Sequence, residues 1–87
     1  MNILITEHAD FEMQRRQIPL SLVQRVVEEP QQIVPSRKGR LIYQSRFFDE
    51  QEDKEMLLRV VLDIEGDDFW VVTVYKTSRI EKYWEEL

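Results

Sequence analysis

Seven side chains in this sequence have the chemistry needed to handle a phosphodiester: His8, Arg16, Tyr43, Arg59, Tyr75, Lys76 and Arg79. Metal-free cleavage of RNA asks little of a protein, because the 2′-hydroxyl of the substrate is the nucleophile. The protein need only move protons and place cations around the phosphate. His8 is the candidate base or acid, with Arg59 and Lys76 beside it as the remaining members of a catalytic set. Arg16 and Arg79 are candidate phosphate contacts, while Tyr43 and Tyr75 could stack on a base or donate a hydrogen bond. Each also has a plainer role open to it. His8 stands next to a helix start and could be a surface or capping residue, Lys76 and Arg79 could be solvated, and Arg59 could pair with Asp63, Glu12 or another acid.

Other chemistries are excluded by residue type. The sequence contains no cysteine, so it has no thiol nucleophile, disulfide or cysteine-based metal site. It has two glycines, Gly39 and Gly66, which cannot build a glycine-rich phosphate loop, and one histidine, which cannot build a multi-histidine metal site. A metal nuclease would want an acid two residues before the strand lysine, and Val74 holds that place before Lys76. The acidic run from Asp49 to Glu55 has no ligand spacing of a metal loop and reads as a solvated connection. No metal or other cofactor is expected.

At 87 residues and 43% hydrophobic content the chain suits one core, and residues 1–87 are taken as a single domain. The net charge of −5 is uneven: residues 1–46 hold seven Lys/Arg against five Asp/Glu, net +2, and residues 47–87 hold five against twelve, net −7. A long basic footprint for nucleic acid is absent, and only a local positive patch is available. No secretory leader and no apolar run long enough to span a bilayer is present, so the expected location is the cytoplasm, without membrane contact.

The elements that must position these groups are legible from periodicity. Asn2 to Ile5 reads as an edge strand or extended lead-in, and Thr6 as the N-cap of a first helix in which Ala9 and Met13 share the apolar stripe and Glu12 pairs with Arg16. Pro19 and Ser21 open a second helix, with Ser21 and Gln24 at capping-box spacing, Leu20, Val23, Val26 and Val27 on one side, and an end before Pro30. Strands are expected at Gln32 to Pro35, Arg40 to Phe48, Leu57 to Ile64 and Trp70 to Tyr75. Leu58, Val60, Leu62 and Ile64 face one way, and Arg59 faces the other. Ser78 and Glu81 have capping-box spacing for a last helix, whose apolar positions are Ile80, Tyr83, Trp84 and Leu87. Lys76 and Arg79 at its start suggest an anion-binding corner. The result is an α+β domain: an N-terminal helical hairpin packed on an antiparallel sheet of about four strands, then a C-terminal helix, with the second sheet face open.

HADFEMQRRQI, PLSLVQRVVEEPQQIV, RKGRLIYQS, LLRVV and VVTVYKTSRIEKYW together resemble a family of small bacterial domains grouped with BrnT-like and RelE-like toxins of toxin–antitoxin pairs. The likeness covers nearly the whole chain and is most specific in the closing stretch. His8, Ala9, Met13, Arg16 and Ile18 match the opening pattern, Arg59 the mid-strand arginine, and Thr73, Tyr75, Thr77 and Ser78 the closing one. Glu12 replaces the arginine usual in that family, and the acidic charge contrasts with its usual basicity. The resemblance implies a RelE/BrnT-like fold, a metal-independent endoribonuclease acting on messenger RNA, and a cognate antitoxin that covers the active face. The reading from a different class is a non-catalytic interaction or regulatory domain on the same fold, binding a protein or a second copy of itself as a homodimer.

Overall fold

The computed structural model describes residues 1–86. The order is β1 (Asn2–Ile5), α1 (Glu7–Arg15), α2 (Leu20–Glu28), β2 (Gln32–Pro35), a 3-10 turn at Arg37–Gly39, β3 (Leu41–Asp49), β4 (Lys54–Glu65), β5 (Asp68–Thr77) and α3 (Ile80–Tyr83). The α+β class is as expected, but the sheet is mixed and five-stranded, in the order β1-β5-β4-β3-β2. The antiparallel-only expectation fails at β1, which pairs in parallel with β5, Ile3 opposite Phe69 and Ile5 opposite Val71. Parallel pairing needs a crossover far longer than a hairpin loop, and here most of the chain separates the two strands. That is why the N-terminal segment shows no local signal of its partner.

Thr6 joins β1 to α1. Its hydroxyl oxygen accepts from the Ala9 amide at 3.1 Å, the expected N-cap, and its hydroxyl lies 3.0 Å from the Val71 carbonyl and 3.1 Å from that of Val72. Those carbonyls sit at an irregularity in β5: Val61 pairs with Thr73 and Leu62 with Val71, so Val72 is an extra residue. A bulge shifts the two-residue alternation by one, which lets both Val71 and Val74 turn to the core.

Ala9 and Met13 of α1 and Leu22, Val23, Val26 and Val27 of α2 are buried against Leu58, Val60, Leu62, Val71 and Val74. Spacing places Leu20 on this stripe, but it is exposed and Leu22 takes the inward position. The reason is that α2 starts at Leu20 with Pro19 as its N-cap, and no side chain caps it. The Ser21–Gln24 capping box is therefore not formed, because Ser21 already lies inside the first turn.

At the other end α3 is a single turn without a side-chain cap. The Ser78–Glu81 capping box also fails: the hydroxyl that accepts from the Arg79 amide is that of Thr77, at 3.0 Å. Four residues make too short a helix for an N-terminal anion corner, and Lys76 is directed elsewhere. Leu87, assigned to the apolar face of this helix, lies outside the described residues. β4 and β5 meet through Gly66 and Asp67, with Glu65 opposite Asp68 and Gly66 at φ 60°, a conformation that suits glycine.

Replacing Thr6 with valine should remove the cap and the tie to β5 while keeping the shape, lowering stability in urea denaturation by about 1–2 kcal/mol. Thr6→Ser should recover most of that loss.

Candidate functional site on the second sheet face

Register alone assembles a row of polar side chains across four strands. Gln32 stands opposite Gln44, Gln44 opposite Arg59, and Arg59 opposite Tyr75. Val60, next to Arg59, faces the helices, so the row occupies the other face of the sheet. Arg59 is only 8% exposed. Its Nε donates to Gln44 Oε1 at 2.8 Å, and its Nη1 donates to the Tyr75 hydroxyl. Gln44 Nε2 donates to Gln32 Oε1 at 2.8 Å and to the Tyr83 carbonyl at 3.1 Å.

This face is not open as expected. The segment Tyr83–Glu85 crosses it as a strap. Gln32 grips the strap with both ends of its amide, Nε2 donating to the Glu85 carbonyl at 2.8 Å and Oε1 accepting from the Glu85 amide at 3.1 Å. The Arg59 guanidinium lies 4.3 Å from the centroid of Tyr83 and 5.7 Å from that of Tyr75, and Arg46 lies 4.3 Å from that of Trp84. Cations over aromatic faces are attracted by the ring quadrupole, more strongly when water is excluded.

None of the acids proposed as Arg59's partner reaches it: among the described residues no carboxylate bonds to it. Glu12 is engaged on α1, where it takes Arg15 at 2.7 Å and Arg16 at 2.8 Å. Those two guanidinium groups hold the Glu12 carboxyl below its usual range, chiefly through the hydrogen bond from Arg16. Arg59 is thus a buried cation solvated by neutral dipoles and rings. Its Nη2 makes no hydrogen bond among the described residues and is not sealed from solvent.

The seven predicted residues do not share one surface. Arg59 and Tyr75 are together on the strap face. His8 is exposed on α1, on the far side of the sheet and of the core beneath the helices. Arg16 is also on the helix side and is committed to Glu12. Tyr43 faces the helix-side core, edge-on to Phe69 with centroids 6.4 Å apart. Arg79 is exposed beside α3. Lys76 faces the helix side as well, and its Nζ donates to Asp49 Oδ2 at 2.6 Å in a pair 13% and 7% exposed. Asp49 heads a run whose composition suggests a solvated connection, yet it is buried, and its Oδ1 accepts from the Gln51 and Glu52 amides at 2.9 and 3.3 Å. It ties the β3–β4 turn to β5.

Gln32, Gln44, Arg46, Tyr83 and Trp84 were not singled out from sequence as site residues. Gln44 and Arg46 alternate with core-facing neighbours in β3, which marks a polar face. Only the register with β4 reveals that this face is Arg59's. No group of three His, Asp or Glu side chains that could hold a metal ion occurs among the described residues.

The Lys76 ammonium keeps the Asp49 carboxyl below its ordinary range. A carboxylate with a lowered folded-state pKa stabilises the fold above its unfolded value near 3.8, and that contribution is lost as the pH falls through the folded value. Lys76→Met should cost on the order of 2 kcal/mol at pH 7 by leaving Asp49 unpaired. The deficit relative to the parent should shrink on acidification, as followed by urea denaturation across pH 7 to 3.

One family model matches the chain, that of the domain of unknown function DUF4258, over residues 5–76. The match takes in Gln32, Gln44, Arg59 and Tyr75 and stops short of the strap residues Tyr83 and Trp84. No curated protein and no solved structure matches. With the greater part of its length so matched, the chain belongs to the DUF4258 family.

Proposed function

We propose that the chain is a toxin-type endoribonuclease, with a RelE/BrnT-like arrangement of its α+β fold, that acts on RNA without a metal ion and receives the scissile phosphate at Arg59. The observation that carries this reading is a buried guanidinium with no carboxylate partner among the described residues. Taking a cation out of water costs several kcal/mol, and neutral dipoles return only part of it. An incoming phosphate supplies the missing charge and can use Nη2, which no described residue engages; Arg46, on the same face, is already within 3.7 Å of the Glu55 carboxylate, so Arg59 is the cation this reading rests on.

The Tyr75 hydroxyl accepts from Arg59 and so keeps its own proton to give. In the proposed reaction the RNA 2′-hydroxyl attacks phosphorus, its proton passes to water, and Tyr75 protonates the departing 5′-oxygen. Tyr83 and Trp84 offer rings on which bases can stack. Lys76 and His8 have no part in this site. The sequence resemblance to BrnT-like and RelE-like toxins is the second support. It brings with it a cognate antitoxin as partner and the cytoplasm, where messenger RNA is found, as the place of action. A non-catalytic interaction domain is favoured by one observation: neither His8 nor Glu12 stands beside Arg59 to act as a strong base.

Expression of the chain alone in a bacterial host, with growth followed and new RNA 5′ ends mapped, separates the two readings. Growth arrest and new ends are expected for the parent and for His8→Ala. Both should vanish in Arg59→Met and fall at least about tenfold in Tyr75→Phe, with folding checked by thermal unfolding. Unimpaired cleavage in Arg59→Met would remove the phosphate from this face, and normal growth with folded parent protein would leave the interaction domain.

A further inference from the structure

Arg59 is 8% exposed, and the ring of Tyr83 stands over its guanidinium with the centroid 4.3 Å away. A phosphate held by a guanidinium needs an oxygen within about 3 Å of a nitrogen. In a nucleic acid that phosphate arrives with a nucleoside on each side. A group so covered cannot receive it unless the cover moves.

The strands cannot be what moves, because β4 is paired with β3 on one side of Arg59 and with β5 on the other. The strap is held far more lightly. Among the described residues three hydrogen bonds fasten it to the sheet: two between the Gln32 amide and the Glu85 backbone, and one from Gln44 Nε2 to the Tyr83 carbonyl. The helix from which it extends contains no buried residue, Tyr83 and Trp84 are half-buried, and Glu85 is exposed. A hollow of about 590 Å³ is lined by Gln32 and Val34 of β2 on one side and by Trp84 and Glu85 on the other, so the strap is not packed tightly onto the strand that holds it. Segments with few buried apolar contacts open locally while the rest of the fold stays intact.

We propose that Tyr83–Glu85 is an autoinhibitory cover, latched by the Gln32 amide, that lifts to let a nucleic-acid phosphodiester reach Arg59. This rests on the reading of Arg59 as the group that receives the phosphate. With the cover down, the cation has an aromatic ring for a partner; a charge-assisted hydrogen bond to phosphate is the stronger contact once the ring has gone. With the cover up, the rings of Tyr83 and Trp84 leave the two arginines and become available to bases. Gln32 is the latch because one amide makes both bonds to Glu85 and also accepts from Gln44, the side chain that in turn accepts from Arg59. Since only the lifted form binds, the apparent affinity is the intrinsic one reduced by the fraction lifted, and binding must in return raise that fraction.

The probe is a 2′-O-methyl uridine trinucleotide, which lacks the 2′-hydroxyl nucleophile and so reports binding without cleavage, titrated calorimetrically into the full chain. Gln32→Met keeps the length of the side chain and removes both bonds to Glu85; it should bind at least about tenfold more tightly than the parent. Adding Arg59→Met should abolish binding in either background. In the unaltered chain, hydrogen exchange of the Glu85 amide should rise toward that of an unprotected amide at saturating probe, which carries the test if Gln32→Met fails to fold. Equal affinity of the parent and Gln32→Met, lost in both with Arg59→Met, would overturn the cover and leave Arg59 as the phosphate contact. Glu85 exchange that is unchanged or slowed at saturation would do the same. Binding that survives Arg59→Met, or no binding by either the parent or Gln32→Met, would remove Arg59 as the phosphate contact and the cover with it.

Discussion

Four side chains from four neighbouring strands, Gln32, Gln44, Arg59 and Tyr75, form one hydrogen-bonded row across the sheet, and the second face of the molecule is built on it. A buried arginine with no counter-ion among the described residues is tolerated only if its donors are met by well-placed acceptors. Gln44 meets Nε, and to do so its amide must be turned with the oxygen toward Arg59. The amide nitrogen then points to Gln32 and the Tyr83 carbonyl. Gln32, so oriented, offers both ends of its amide to Glu85 as a strand backbone would. One constraint at Arg59 therefore propagates through two glutamines to the placement of the C-terminal strap. A one-residue slip of β3 against β4 would send Gln44 into the helix-side core and leave Arg59 without its main acceptor.

The two faces of the sheet are held by different physics. Beneath α1 and α2 the contacts are aliphatic and non-directional, and they tolerate adjustments such as Leu22 serving where Leu20 does not. On the strap face Val34, Ile42 and Leu57 are also buried, but beside them run directional hydrogen bonds and cation–aromatic contacts, which fix orientation more than they add stability. The Val72 bulge lets both arrangements coexist, since β5 would otherwise have to choose between turning Val71 inward and keeping Tyr75 beside Arg59.

Two acids on the helix side, Glu12 and Asp49, hold cations in short ion pairs. Glu12 holds Arg15 and Arg16 and Asp49 holds Lys76, so two of the cations the sequence offered for phosphate, Arg16 and Lys76, are engaged in the fold. Arg59 stands apart because its surroundings are aromatic and amide rather than acidic. In a chain of net charge −5, attraction of an anion to that point has to come from local geometry and exclusion of water, since the long-range field runs the other way.

Local rules carried much of the fold. Thr6 as N-cap, the Ala9–Met13 and Val23–Val26–Val27 stripes, the Glu12–Arg16 pair, the four later strands and the orientation of Arg59 away from Leu58 and Val60 are all readable from spacing, because each depends on residues a few positions apart. The parallel seat of β1, the bulge at Val72, the burial of Asp49 under Lys76 and the Gln32–Gln44–Arg59–Tyr75 row depend on which strand lies beside which, and in what register. Side-chain types along the chain determined that an arginine would face away from the core. Only the tertiary structure decided that it would meet glutamine and tyrosine instead of an acid, and that His8 would lie on the other side of the sheet, because those contacts join residues distant in sequence.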